Sequence, residues 1–248
     1  MLDEDVKKRI LDLADRCRRK GCVTATGFLS PAECAEIRTL GALKGSSFII
    51  SGGAEGCERC AVFFLPEWMD EESFELSEYI SAVSIKSFFG APSHRDYLGA
   101  VLGLGIERDR IGDIIVSGED ARLFCANSVV KLILGELDKV GRYSVKTELI
   151  PLSSVPPVER KVRRLSFTVK SLRLDAVTAD MFGISRTNAA EFIRLGAVSL
   201  NYAVCEKADA SVKEGDVISV RGKGKGCIAE LGGKSRKDRL FVTAEIYI

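Results

Sequence analysis

The feature that most constrains this chain is a proline-rich break followed at once by a basic run. Three of its six prolines fall within Pro151-Leu152-Ser153-Ser154-Val155-Pro156-Pro157, and Arg160-Lys161-Val162-Arg163-Arg164 comes next. Proline fixes its own φ and lacks an amide donor, so neither a helix interior nor a central strand runs through such a segment. The chain is therefore expected to divide here into separately cored parts, with a linker over 153–162.

Charge divides at the same place. From Arg160 to Ile248 there are 17 Lys/Arg against 10 Asp/Glu, a net of +7, whereas the preceding 159 residues carry 19 against 25, a net of −6. The whole chain is only +1. A basic C-terminal third joined to an acidic remainder points to a polyanion partner gripped by one module, the alternative being an uneven surface with no partner. Charged residues are 29% of the chain and hydrophobic ones 46%, which excludes the disordered class. No apolar run approaches the roughly 20 residues that a membrane helix needs. The start, Met1-Leu2-Asp3-Glu4-Asp5, is acidic and has no signal-peptide core. The expectation is a cytoplasmic protein with no membrane partner, whose eight cysteines are free thiols.

Apolar residues at helical spacing (Val6, Ile10, Leu13, Cys17) predict a helix over 2–20. Ser30-Pro31-Ala32-Glu33 is a helix start with a capping box, running to about Leu40. Ser47–Ser51 and Cys60–Leu65 read as strands. These make a small α/β unit over 1–75. From Tyr79 the order becomes strand (Tyr79–Phe88), helix (Ser93 cap to Leu104), strands Asp113–Ser117 and Arg122–Ala126, helix Val129–Val140 and strand Tyr143–Ile150. β-α-β-β-α-β is the ferredoxin-like order, expected over 76–152. Ala121–Ala126 lacks the aromatic stacking signature of the common RNA recognition motif. Exposed Phe, Tyr or Trp68 side chains on the open sheet face would mark RNA contact there. The fold class is α+β.

Beyond the linker, Arg163–Val169 reads as a strand and Leu172–Phe182 as a helix stopped by Gly183. Ser185 caps a second helix to Leu195, and Gly196 stops it. Val198–Leu200 is a short strand, Asn201 and Gly215-Asp216 are turns, and Val217–Val220 leads into Arg221-Gly222-Lys223-Gly224-Lys225-Gly226. Two short helices against a small sheet put Arg173, Arg186 and Arg194 on neighbouring surfaces. Arginine suits phosphate because its planar fork donates in pairs and stacks on bases. Ser185 and the first amides of its helix offer a second phosphate contact. The glycines between Arg221, Lys223 and Lys225 let backbone approach a phosphate chain.

Arg173-Leu174-Asp175, Ser185-Arg186, Ile193–Val198, Asn201, Gly215-Asp216 and Arg221–Gly224 resemble the small RNA-binding (alpha-L) domain named after small-subunit ribosomal protein four. Tyr202 stands where that domain has glycine after the turn Asn. Phe28–Pro31, Arg95–Ala100, Leu104–Arg108 and Ile111–Ile114 extend the resemblance, so that essentially the whole chain is similar to the YlmH family. The resemblance implies an S-four-type RNA-binding domain over 163–248. It implies structured RNA, ribosomal or transfer, as the partner, the large ribosomal subunit as its place, and a role in translation or stalled-ribosome quality control. The RNA contacts expected are Arg173, Ser185, Arg186, Asn188, Arg194, Asn201, Arg221, Lys223 and Lys225. No catalytic residue, metal or cofactor is expected, nor DNA, and the chain is expected to be a monomer.

Blander readings stand beside these. Arg173 could serve only as the ion-pair partner of Asp175, with Asp175 orienting it. Lys223 and Lys225 could be a solvated hairpin tip, and Arg160, Lys161, Arg163 and Arg164 a solvated linker. Cys57-Glu58-Arg59-Cys60 is a lone CxxC without a second ligand pair. His94-Arg95-Asp96 resembles a kinase loop, but Val101 holds the place of the required Asn, so His94 is expected as a helix-start surface residue. Gly233-Lys234-Ser235 lacks the leading glycine of a phosphate loop, Ile228 standing there, and Gly103-Leu104-Gly105 has Arg108 at the third glycine of a dinucleotide fingerprint. Two rivals of other classes are an RNA-modifying enzyme, pseudouridine synthase-like or methyltransferase-like, and an accessory factor whose acidic part docks on a basic ribosomal protein.

Overall fold

The computed structural model describes residues 3–158, 161–235 and 237–247. Contacts divide the chain into two compact units, Met1–Val158 and Glu159–Ile248.

The first unit opens with α1 (Glu4–Lys20). Asp3 caps it, Glu4 and Asp5 sit at the positive end of its dipole, and Arg18, Arg19 and Lys20 sit at the negative end. Gly21, at φ +60°, returns its amide to Cys17 O at 2.9 Å. The helix buries Ile10, Ala14 and Cys17. After β1 (Thr24–Ala25) comes α2 (Pro31–Thr39), whose start is the expected capping box: Ser30 Oγ accepts from Glu33 N, and Ser30 N donates to Glu33 Oε2 at 2.6 Å. β2 (Ser47–Ser51) and β3 (Ala61–Leu65) follow. They form an antiparallel sheet of order β1-β3-β2, with every residue of the central β3 buried.

The rest of the unit is β4 (Ile80–Ser87), α3 (His94–Gly103), β5 (Ile111–Ser117), β6 (Asp120–Ala126), α4 (Asn127–Glu136), β7 (Lys139–Val140) and β8 (Tyr143–Ile150). The sheet order is β5-β6-β4-β8-β7, antiparallel throughout. Val83, Ile85, Leu123 and Cys125 form a core with Tyr97 and Val101 of α3 and Ile133 of α4.

Two expectations need correction. The helix expected over Val129–Val140 is α4, which ends at Glu136. Ile133, Leu137 and Val140 keep helical spacing, but Leu137 leaves the helical region and Lys139-Val140 turns through Gly141-Arg142 to pair with Tyr143 and Ser144. All three still reach the same core. Further, contacts do not separate 1–75 from 76–152. Phe28 and Phe63 share a cluster with Ile80, Ala82, Phe124 and, from the expected linker, Val155. Each such aromatic withdraws apolar surface worth roughly 2–3 kcal/mol.

The second unit consists of β9 (Val162–Val169), α5 (Leu174–Phe182), α6 (Arg186–Arg194), β10 (Val198–Leu200), β11 (Ala203–Val204), β12 (Val217–Val220), β13 (Gly224–Lys234) and β14 (Leu240–Tyr247). Its six strands run antiparallel in the order β11-β10-β12-β13-β14-β9. Leu174, Val177 and Met181 of α5 and Ile193 of α6 pack on Val198, Ile218, Ile228 and Val242. The glycine run Arg221–Gly226 is a turn only at Arg221–Lys223; from Gly224 it is strand. A Cβ on Gly226 would lie 2.5 Å from Glu245 O and 2.6 Å from Met181 Cε, so this glycine lets β13 pass close under α5. Asn201 and Tyr202 have φ of +50° and +67° between the paired Leu200 and Ala203. That is a two-residue hairpin of the type that needs positive φ twice, and Tyr202 adopts it without being glycine.

Candidate nucleic-acid interface

The interface is built around the start of α5. Its first amides are taken by the chain beside it: Leu174 N donates to Ala210 O at 2.9 Å and Asp175 N to Ala208 O at 3.0 Å. The Asp175 carboxylate also accepts from Ala176 N at 2.8 Å, and two arginines complete its shell. Arg173 donates Nε to Oδ1 at 3.2 Å and Nη2 to Oδ2 at 3.3 Å. Arg186 donates Nε to Oδ2 at 3.0 Å and Nη2 to Oδ1 at 3.3 Å. The Asp175 side chain is 7% exposed, while those of Arg173 and Arg186 are 41% and 56% exposed. Burial pushes the carboxyl up, but hydrogen bonds from Arg173 and Arg186 and the charge of Arg186 outweigh it, and the net effect holds it below the usual carboxylate range. The bond to Asp175 raises the Arg173 guanidinium above its ordinary value.

A guanidinium has five N–H donors, and each arginine spends two of these groups on Asp175. Both side chains stay about half exposed beyond that carboxylate. The ion-pair and anion-binding readings of Arg173 are therefore not exclusive: Asp175 fixes two cationic forks side by side with their outer edges free to meet phosphate.

Other expected contacts distribute differently. Ser185 Oγ accepts from Asn188 N at 3.1 Å, so it is committed to capping α6, and the Asn188 side chain is exposed one turn into that helix. Arg194 is exposed at the far end of α6, about 12 Å along the axis from Arg186, and so is not beside the arginine pair as expected. Asn201 ties two turns together, donating Nδ2 to Asp216 Oδ1 at 2.8 Å and accepting Val217 N on Oδ1 at 2.9 Å. Arg221 and Lys223 are exposed in the β12–β13 turn. Lys225 lies within β13, its Nζ 4.6 Å from the Tyr202 ring centre and 5.4 Å from that of Tyr247. Of the alternative linker cations, Lys161 is exposed and Arg160 lies outside the described residues.

Two cations went unmarked in the sequence. A cleft of about 340 Å³ beside Arg186 is lined also by Lys170 and Arg239, with Asp180 on its wall. Arg239 donates Nε to Thr168 Oγ1 at 3.0 Å and Nη2 to Thr168 O. Their only sequence signal is proximity to other basic residues.

Residues 70–154 match the family model described as "Putative RNA-binding domain in YlmH". Over 224 residues, spanning 89% of this chain and 86% of the relative, the sequence is 33% identical to the ribosome-associated protein quality control protein P2 of Bacillus subtilis. The chain belongs to the YlmH family. The fold agrees: the solved structure of the cell division protein ylmH from Streptococcus pneumoniae superposes with a TM-score of 0.54 at 24% identity, covering 63% of this chain and 96% of that one.

In this YlmH-family chain, the CxxC segment has a structural use. Glu58 N and Arg59 N donate to Asp113 Oδ2 and Oδ1 at 2.5 and 3.1 Å. Arg59 also donates Nη2 to Phe28 O at 2.6 Å and Nε to Ile111 O at 3.2 Å. The residues between the cysteines thus tie β3 to β5, a role the sequence pattern gives no hint of. All eight cysteines are free thiols. Among the described residues no group of three His, Cys, Asp or Glu side chains is arranged to hold a metal, and no helix is long and apolar enough to cross a membrane.

Proposed function

We propose that this chain is a non-catalytic RNA-binding protein that grips structured ribosomal or transfer RNA through its second unit. It acts as a cytoplasmic monomer on the large ribosomal subunit, in translation or stalled-ribosome quality control. The middle of the first unit is read as a ferredoxin-like domain and the second unit as an S-four-type domain.

The observation that carries this reading is the Asp175 clamp. A largely buried carboxylate orients two half-exposed guanidiniums at adjoining helix starts, within a module of net charge +7. That arrangement suits two neighbouring phosphates of a folded RNA better than a lone surface ion pair, which would need neither the burial nor the second arginine. The family model's description supports RNA as a partner through residues 70–154 of the first unit, and the name of the Bacillus subtilis relative supports the ribosome as a partner.

Crosslinking in the cells that make the protein, followed by sequencing of the attached RNA, tests it. Reads concentrated on large-subunit ribosomal RNA near the tRNA sites, or on tRNA, are expected. Reads scattered over messenger RNA would contradict the ribosomal placement, and no reads above background would contradict RNA binding itself.

A further inference from the structure

Phe89 presents a physical contradiction. It is 98% exposed, and its backbone sits at φ +63°. A bulky side chain at positive φ is a strained outlier, and nothing intramolecular repays it, because the ring packs on almost nothing. Its neighbour Phe88 is 40% exposed.

The surroundings say what such a ring is for. Phe88 N donates to Ser144 O at 3.0 Å, extending the β4–β8 pairing past its end. Gly90 lies so close to Tyr143 that a Cβ would fall 2.1 Å from Cε1, which seats the Phe88-Phe89-Gly90 segment on the β7–β8 hairpin. Cations crowd this corner. Lys86 and Lys146 are directly opposed across β4 and β8, and both are exposed. Like charges in that position repel, a cost that Asp120, across from Lys86 on its other side, offsets only for Lys86. Lys139 of β7 opposes Ser144, and Arg142 lies over the Tyr143 ring at 5.1 Å, donating to its hydroxyl. The nearby acidic residues include Asp120, opposed to Lys86 from β6, Asp96, which is engaged by Ser93 in capping α3, and Glu119 and Asp138, whose backbone oxygens accept from Ser87 N and Val145 N.

We propose that this corner of the first unit is a second RNA site, specific for unpaired nucleotides: Phe89 stacks on a base, with Phe88 and Tyr143 beside it, while Lys86, Lys139, Arg142 and Lys146 follow the phosphates. Aromatic faces interleaved with cations are what single-stranded RNA requires, since every base offers a π-face and every linkage a charge. An apolar pocket on a protein partner would accept Phe89 but gives no reason for four cations around it. The proposal rests on the chain being an RNA binder; residues 70–154 already match a family model described as RNA-binding, and what is added is the site within them and its kind of RNA, which differs from that of the second unit.

The test uses the full chain and two probes, a 12-nucleotide oligouridylate and a hairpin closed by a stable tetraloop. Phe89→Ala is expected to weaken binding of the single strand about tenfold or more, the scale of one lost stacked base, with hairpin binding unchanged. Phe89→Trp retains it. Lys139→Ala with Lys146→Ala flattens the salt dependence for the single strand by roughly 0.7 per lysine. Arg173→Ala with Arg186→Ala leaves single-strand binding intact while hairpin binding falls, so the two sites fail separately. Equal single-strand affinity in Phe89→Ala and the parent overturns the site. So does a parent that binds the hairpin but not the single strand, an outcome that would turn Phe89 into a protein-docking knob.

Discussion

Arg186 reaches back eleven residues to place both Nε and Nη2 on the Asp175 carboxylate, at 3.0 and 3.3 Å. Because Arg173 holds the same two oxygens from the other side, the carboxylate couples the starts of two helices to the orientation of two cations. Structure and the proposed RNA contact are thus linked through a residue that need not touch RNA.

Replacing that carboxylate should separate the two effects. Asp175→Ala is expected to lower stability by about 1–3 kcal/mol, discounted from a fully buried pair because both arginines are largely exposed. Urea denaturation of the full chain checks it. Hairpin affinity should fall as well, although both cations remain, because their forks are no longer fixed.

The pH dependence has a definite sign. The folded-state value of Asp175 is depressed, so its contribution is present above the unfolded carboxylate value of about 4 and is lost as pH falls through the lower folded value. Asp175→Asn should lose that part of the acid sensitivity: the gap in urea midpoint between parent and variant narrows below about pH 4 and is constant from pH 6 to 8.

Phe89→Gly should make the protein more stable by about 1 kcal/mol, since glycine adopts φ +63° freely and no packing is lost. A raised urea midpoint together with weakened single-strand binding would show stability given up for contact; an unchanged or lowered midpoint would mean the backbone there is unstrained.

Arg59 should be intolerant even of lysine. An ammonium cannot bridge Phe28 O and Ile111 O as the planar guanidinium does. Arg59→Lys is expected to lower the thermal midpoint of the first unit, by the equivalent of about 2 kcal/mol for two lost carbonyl contacts, with hairpin binding by the second unit retained.

Local chemistry made much of this fold legible. Ser30, Ser93 and Ser185 each cap the helix expected of them, and the proline break lies where contacts divide the chain at Val158 and Glu159. What stayed hidden depends on tertiary contact. Val140 keeps a helical period yet belongs to a strand, because hairpin and helix bury it against one core. Gly226 carries no strand signal of its own, and only Met181 and Glu245 explain why the strand needs glycine there. In the candidate site, Arg173, Asp175 and Arg186 were visible as a motif, whereas Arg239 joins the adjoining cleft through β14 pairing with β9, a long-range register no local pattern encodes. Asn201 was visible but put to another use, holding Asp216 and Val217.

The central claim is that Arg173 and Arg186, fixed by Asp175, hold phosphates of structured RNA. The most direct measurement is the salt dependence of binding between the full chain and a ribosomal-RNA hairpin, for the parent and for Arg173→Ala with Arg186→Ala. The account predicts weaker binding at every salt concentration and a log–log slope shallower by about one unit per lost phosphate contact, so about two for the pair. Equal affinity and equal slope in the double variant would contradict it, leaving the clamp as a purely structural device.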